Sequence, residues 1–157
     1  MIGLRVKAVL AACCFASVAG AAGATSVADG LIVLRSPVSV KETIDRFEAA
    51  AKSRGLNIFL RLDHAAGAAA VGKTLRPTEL LLLGNAQGGT PLMECAQSAG
   101  IDLPLKALAW QDAGGQVWLG YNDPKYVASR HHAGDCGPVV ESMSKALAGM
   151  ARESVRE

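Results

Sequence analysis

Aromatic side chains are scarce, since Phe, Trp and Tyr make up only 4% of the 157 residues. A sheet that stacks RNA bases and an aromatic carbohydrate cleft both need more of them. The sequence also lacks a C-x-x-C or H-x-x-x-H pair for a metal and a G-x-S-x-G nucleophile elbow. These absences predict no metal site and no cofactor, and they leave open whether the protein is an enzyme.

The one long apolar run, Ala8–Ala19, is too short and too rich in Ala for a stable membrane span. It follows the basic residues Arg5 and Lys7 and precedes the small residues Ala22–Ala24. This pattern is typical of a secretory signal peptide cleaved near Ala24. The sequence therefore predicts a periplasmic or secreted protein.

An alternative N-terminal processing is indicated by Leu10–Cys13, which has the letters of a bacterial lipobox. Lipidation at Cys13 would anchor the mature chain to a membrane. The apolar segment between Lys7 and Cys13 is very short for that purpose, so cleavage near Ala24 is the preferred interpretation.

Signal cleavage changes both the charge and the cysteine content. The 16 basic residues lose Arg5 and Lys7, and the remaining 14 balance the 14 acidic residues. A neutral chain argues against non-specific nucleic-acid binding. Cys95 and Cys136 remain and are 41 positions apart. In an exported protein they could form a disulfide or stay as two thiols, a choice that geometry decides.

Residues 25–157 contain no linker, repeat or charge block, and the sequence predicts a single domain. Hydrophobic periodicity, caps and turn residues predict the element order β-α-β-α-β-α-β-β-α-α. The hairpin around Ala113–Gly115 is too short for a parallel crossover, which indicates an α+β domain with a mainly antiparallel sheet. The predicted elements are strands at 29–36, 56–63, 79–83, 106–112 and 116–121, and helices from Ser39, His64, Thr90, Asp123 and Pro138.

Two stretches lie where sites commonly form. Gly84–Thr90 follows a buried strand and could hold an anion on converging amides, but it lacks the Lys of a P-loop. A tight strand-to-helix connection explains the same glycines. Asp63 and His64 could act as a carboxylate and base pair. Alternatively, Asp63 caps the next helix and His64 lies in its first turn.

Other polar positions are less informative. Arg130–His132 most simply forms a solvated helix end, because adjacent histidines make a poor metal pair. Tyr121, at a strand end, could line a pocket. Cys95 lies within a predicted helix rather than at its start, which disfavours a nucleophilic role. Nothing in the sequence supports Ser-His-Asp catalysis.

Five motifs in order resemble the family known as domain of unknown function 302. They are Asp63–Ala66, Leu75–Leu80, Leu83–Asn85 with Gly89–Met93, Asp102–Lys106 and Gly120–Pro124. The resemblance implies a curved antiparallel sheet backed by helices, arranged as in the TATA-binding protein, and a homodimer. It implies no activity. Gly67 and Ala86 depart from the Asn and Pro that the family often has there.

We consider three hypotheses for the function of the protein. The leading one is a periplasmic small-ligand binding or accessory module, whose ligand would be held by polar residues at the element ends. The second is a hydrolase or isomerase with His64 as general base and Asp63 or Glu79 as its partner. The third is a purely structural dimerising domain. The predicted ligand-binding residues are His64, Arg76, Thr78, Asn85, Thr90 and Tyr121, with Asp63 beside them.

Overall fold

The computed structural model of the protein describes residues 25–26 and 28–157. The predicted signal peptide, Cys13 and the cleavage site lie outside these residues. The described elements are β1 (Thr25–Ser26), β2 (Leu31–Ser36), α1 (Val40–Lys52), β3 (Asn57–Asp63), α2 (His64–Ala70), β4 (Thr78–Gly84), α3 (Ala86–Cys95), β5 (Leu105–Gln111), β6 (Val117–Asn122), α4 (Pro124–Arg130) and α5 (Gly137–Ser154), with short 3-10 helices at Gln97–Asp102 and Gly134–Cys136.

The strands form one sheet in the order β1-β2-β6-β5-β4-β3, and every neighbouring pair is antiparallel. The predicted α+β class with helices backing an antiparallel sheet is confirmed. The element order also agrees, apart from the two-residue strand β1 and the 3-10 helices.

Helices α1 and α5 cover one face of the sheet. Leu81 and Leu83 of β4 point to that face and are fully buried. Phe47 of α1 and Leu147 of α5 pack against them. Because side chains alternate along a strand, one set of residues on each strand builds this core. The next set points to the opposite face.

Helix α1 begins where the sequence predicts it. The Ser39 side chain accepts a hydrogen bond from the Glu42 backbone N–H at 3.2 Å, which caps the helix. The Glu42 carboxylate binds Arg46 instead of reaching back to Ser39, so only one half of a capping box forms. Buried Thr43 anchors the first turn to β2 through a 2.7 Å hydroxyl contact with Ser36.

Helix α3 begins earlier than the sequence predicts. We expected a loop at Gly84–Gly89 and a start at Thr90, but the helix begins at Ala86. The reason is Asn85, whose side-chain oxygen accepts a 2.8 Å hydrogen bond from the Gly88 N–H. This cap stabilises the first turn despite its glycines. Pro91 consequently lies inside the helix.

A register shift between Ile58 and Leu60 interrupts the side-chain alternation of β3. Strict alternation would place Ile58, Leu60 and Leu62 on one face and Arg61 on the other. After the shift, Ile58 packs on the core, whereas Leu60 and Leu62 are 48% and 39% exposed. A bulge changes which face the following side chains occupy, and sequence alternation does not reveal it.

Arg61 consequently turns to the helix side of the sheet. It donates hydrogen bonds of 2.5 Å to Glu79 and to Asp45 of α1. The bond to Glu79 raises the pKa of Arg61 above its usual range. Lys41, followed by Arg61, lowers the pKa of the Asp45 carboxyl. This network holds the edge strand β3 against α1.

Cys95 and Cys136 lie at disulfide-bonding distance, with Cα atoms 6.1 Å apart. Cys95 ends α3 and Cys136 immediately precedes α5. Around Cys136, Leu92, Val140 and Met143 form a second apolar cluster beside the main core. The bond therefore ties α3 to the start of α5.

Replacing both cysteines with Ser is expected to lower the free energy of unfolding by about 2–4 kcal/mol, because a long loop in the unfolded chain is then no longer closed. Urea denaturation of the oxidised protein and the double variant measures the difference. Chemically reduced wild-type protein is the matched control, and it should behave like the variant. Equal midpoints for oxidised and reduced protein would contradict the pairing.

Candidate functional site

A cleft of about 640 Å³ lies between α3, α5 and the sheet. Thr90 and Met93 lie on the α3 side, and Met143 and Ala146 lie on the α5 side. The lining residues are Leu56, Phe59, Gly84–Thr90, Met93, Leu103–Leu105, Val139, Ser142, Met143, Ala146 and Met150. Its volume is in the range of small-molecule sites.

The described lining of the cleft contains no charged side chain. Its polar side chains are Asn85, Gln87, Thr90 and Ser142, which offer amides and hydroxyls. A desolvated ionic group would find no opposite charge here and would be strongly disfavoured. The cleft therefore suits a neutral and largely apolar molecule.

The Gly84–Thr90 stretch shapes one rim of this cleft. Asn85 uses its oxygen to cap α3 and donates its amide to the Gly55 carbonyl at 3.3 Å. A Cβ on Gly89 would lie 3.3 Å from the Leu103 side chain, so the glycine permits close packing of α3. Asn85 and Gly89 therefore have structural roles in a strand-to-helix connection.

The predicted ligand-binding residues do not form one cluster. Asn85 and Thr90 line the cleft. Thr78 begins β4, six residues or about 20 Å before Gly84 at the cleft. Two residues before Thr78, the Arg76 side chain donates a 3.0 Å hydrogen bond to the Gln111 carbonyl. The Thr78 hydroxyl donates to the Arg76 carbonyl at 2.9 Å.

Tyr121 lies in the main core and is 4% exposed. Burial raises the pKa of its phenol. The strand-end position suggested a pocket, but the side chain points to the helix-covered face. Tyr121 is therefore remote from solvent.

Asp63 and His64 also lie away from the cleft. The Asp63 carboxylate accepts a 2.9 Å hydrogen bond from the Ala66 N–H and caps α2. His64 is the first residue of that helix and is partly exposed. Glu79, the other partner considered for His64, is bound to Arg61. The arrangement matches the capping interpretation of this pair.

Sequence reasoning missed the apolar wall of the cleft. Val139, Met143, Ala146 and Met150 recur at helical spacing along α5, and Met143 and Met150 also belong to the buried clusters. The structure turns this stripe partly toward the cleft. An exposed Phe59 on edge strand β3 completes the opening. Whether the apolar residues of α5 line a cleft or pack in the core depends on the separation of α3 from α5.

Within residues 25–26 and 28–157, no three His, Cys, Asp or Glu side chains come together as a possible metal site. No helix there combines the length and apolarity needed to cross a membrane.

Asp63→Ala is expected to cost about 1 kcal/mol of stability, because α2 loses its cap. His64→Ala should change stability by less than about 0.5 kcal/mol, since the ring is partly exposed and surface substitutions have small effects. Thermal unfolding of the two variants measures the difference. A larger loss for His64→Ala would indicate that its ring has a structural partner.

Three comparisons place the chain among known proteins. A family model described as "Domain of unknown function DUF302" matches residues 32–150. The crystal structure of a DUF302 protein from Bacillus stearothermophilus superposes with a TM-score of 0.73. It covers 82% of this chain and all of that one at 19% identity, which shows a shared fold.

Curated relatives are found in Brucella. Proteins named "Fluoride-specific ion channel FluC 1" from Brucella suis biovar 1 and Brucella abortus biovar 1 are each 50% identical over 111 residues. The match covers 71% of this chain but only 44% and 41% of those proteins. The chain thus spans less than half the length of these relatives. With the family model matching most of the chain and the same fold in a solved relative, the protein belongs to the DUF302 family.

Proposed function

We propose that the protein is an exported binding module that holds a neutral, largely apolar small molecule between α3 and α5. The observation that carries this proposal is the charge-free lining of the cleft. Burial of an apolar ligand surface contributes about 25 cal/mol per Å². The Thr90 and Ser142 hydroxyls at the cleft would orient a polar group of the ligand.

Two features favour a cleft that is already formed before a ligand binds. The Cys95–Cys136 bond joins the end of α3 to the start of α5, the two helices that face each other across the opening. Leu92 and Met143 pack in the same apolar cluster beneath them. A fixed separation reduces the ordering cost of binding.

Export is supported by the same pair of cysteines. Disulfides form and persist in oxidising compartments such as the bacterial periplasm. Together with the signal-peptide pattern before Ala24, the pairing favours a periplasmic or secreted mature chain. Lipidation at Cys13 is the alternative, and the mass of the exported chain distinguishes the two.

An accessory role beside a membrane protein is suggested by the name of the Brucella relatives. The match covers less than half of those proteins. A domain of this kind could work next to a separate ion-transporting part. The cleft disfavours fluoride itself as the ligand, because its lining offers no positive charge to offset the desolvation of a buried anion.

Ala146→Phe is expected to weaken binding in the cleft at least about tenfold, because the larger ring fills the space between α3 and α5. The probe is N-phenyl-1-naphthylamine, a neutral apolar fluorophore, titrated into mature protein purified from a periplasm. Native mass spectrometry of the same sample reads any retained ligand and the N-terminal processing.

Lys145→Phe is the matched control, because this neighbouring α5 side chain is exposed and does not line the cleft. It should bind the fluorophore as wild type does. Equal binding by wild type and Ala146→Phe would refute the cleft as the site. No binding by wild type would favour the purely structural hypothesis.

A homodimer is our second proposal, and it rests on the sheet face opposite α1 and α5. Leu60 and Leu62 are exposed there, and their strand partners Leu82 and Leu80 are only partly buried. Leu108 of β5 continues the patch beside Leu80. Contiguous exposed apolar faces commonly mark interfaces. Two identical faces would bury each other in a two-fold dimer.

Leu62→Glu is expected to convert this dimer to a monomer, because a carboxylate would be buried without a partner at the interface. Light scattering after size-exclusion chromatography measures the mass. Ile101→Glu is the control, since Ile101 is 74% exposed on the 3-10 helix at Gln97–Asp102. A monomeric wild type, or an unchanged dimer of Leu62→Glu, would contradict this interface.

A further inference from the structure

A chain of three hydrogen-bonded side chains lies outside the cleft. Ser98 and Asp102 belong to the 3-10 helix at Gln97–Asp102, and His131 follows α4. The Ser98 Oγ lies 3.0 Å from Nδ1 of His131. The other ring nitrogen, Nε2, lies 2.6 Å from an Asp102 carboxylate oxygen. A hydroxyl, an imidazole and a carboxylate are thus connected in sequence.

The burial of these groups differs along the chain. The His131 and Asp102 side chains are only 8% and 14% exposed, while Ser98 is on the surface. The sequence led us to expect a solvated helix end at Arg130–His132, so the buried ring is a correction. The carboxylate and ring are shielded from water, and the hydroxyl is open to a substrate.

The two hydrogen bonds of the His131 ring determine its tautomer. An ionised carboxylate only accepts, so Nε2 of His131 carries the proton that is donated to Asp102. Nδ1 then keeps its lone pair and accepts from the Ser98 hydroxyl. A nucleophile beside a base that a third group orients is the common arrangement of nucleophilic catalysis.

Neighbouring contacts hold the carboxylate in place. Nη1 of Arg130 donates to both Asp102 oxygens, at 3.1 and 3.3 Å. Lys106 donates to the Asp102 backbone carbonyl at 2.9 Å, which fixes the end of the 3-10 helix. The disulfide partner Cys95 lies three residues before Ser98. The helix that carries both Ser98 and Asp102 is thereby anchored at its two ends.

We propose that Ser98 is the nucleophile of an acyl-transfer site, with His131 as general base and Asp102 as the residue that positions the imidazole. The site uses none of the cleft-lining side chains and is independent of ligand binding there. Compared with the serine-protease arrangement, the two ring nitrogens exchange roles. The exposed Ser98 hydroxyl is open to small esters.

The reaction balances with water as the second substrate. The Ser98 oxygen bonds to the ester carbonyl carbon while its proton passes to Nδ1 of His131. The ester C–O bond breaks, and the departing alkoxide takes that proton and leaves as an alcohol. Water then attacks the acyl-serine, gives its proton to His131, and releases a carboxylic acid and the free Ser98 hydroxyl.

The test is labelling of the oxidised, mature protein with a fluorophosphonate, followed by intact mass and peptide mapping. We expect one phosphonyl group per chain, located on Ser98. Ser98→Ala should abolish labelling, and His131→Gln or Asp102→Asn should slow it at least about tenfold. Ser129→Ala is the matched control, because Ser129 is an exposed serine on neighbouring α4 and should not affect labelling.

A second readout, turnover of an ester, separates catalysis from a purely structural role. The rate of p-nitrophenyl acetate hydrolysis by the folded variants should rank them in the same order as their labelling by the fluorophosphonate. Absence of label on Ser98, or equal labelling of wild type and a folded His131→Gln, would overturn the proposal.

Discussion

Burial of one face of an antiparallel sheet is the constraint on which the rest of the structure depends. Leu81, Leu83 and Leu119 point to that face and meet Phe47 of α1 and residues of α5. Because strand side chains alternate, covering one face leaves the other face without these helices. The apolar side chains of Leu60 and Leu62 are therefore exposed, and the proposed dimer would cover them.

The position of α3 decides where chemistry can occur. Asn85 starts this helix directly after β4, and the bond between Cys95 and Cys136 joins its end to α5. The cleft lies between these two helices, and the 3-10 helix that carries Ser98 continues from the same end of α3. Two separate candidate sites thus depend on one helix, which is secured at both ends by a cap and a covalent bond.

The comparisons establish the family and the fold, whereas the chemistry of the cleft bears on the proposed function. The DUF302 family and the solved Bacillus relative show the fold, and the Brucella relatives show that a matching segment can form less than half of a longer protein. A charge-free cleft is suited to recognition of neutral molecules. Ser98, in contrast, lies on the surface, so an activity there would act on exposed groups rather than on an enclosed ligand.

The sequence by itself determined the elements and the fold class, because caps, periodicity and turn residues act over a few positions. A local structure is indicated by Ser39 at a helix start, by the turn residues Ala113–Gly115 and by the apolar stripe along α5. Tertiary structure alone decided which face a residue occupies after the bulge in β3. It also decided that Tyr121 is buried, that Asn85 and Thr90 are separated from Thr78, and that Ser98, Asp102 and His131 meet. These outcomes depend on tertiary contacts, such as those that join His131 to Ser98 and Asp102, which lie 33 and 29 positions away, and no local pattern encodes them.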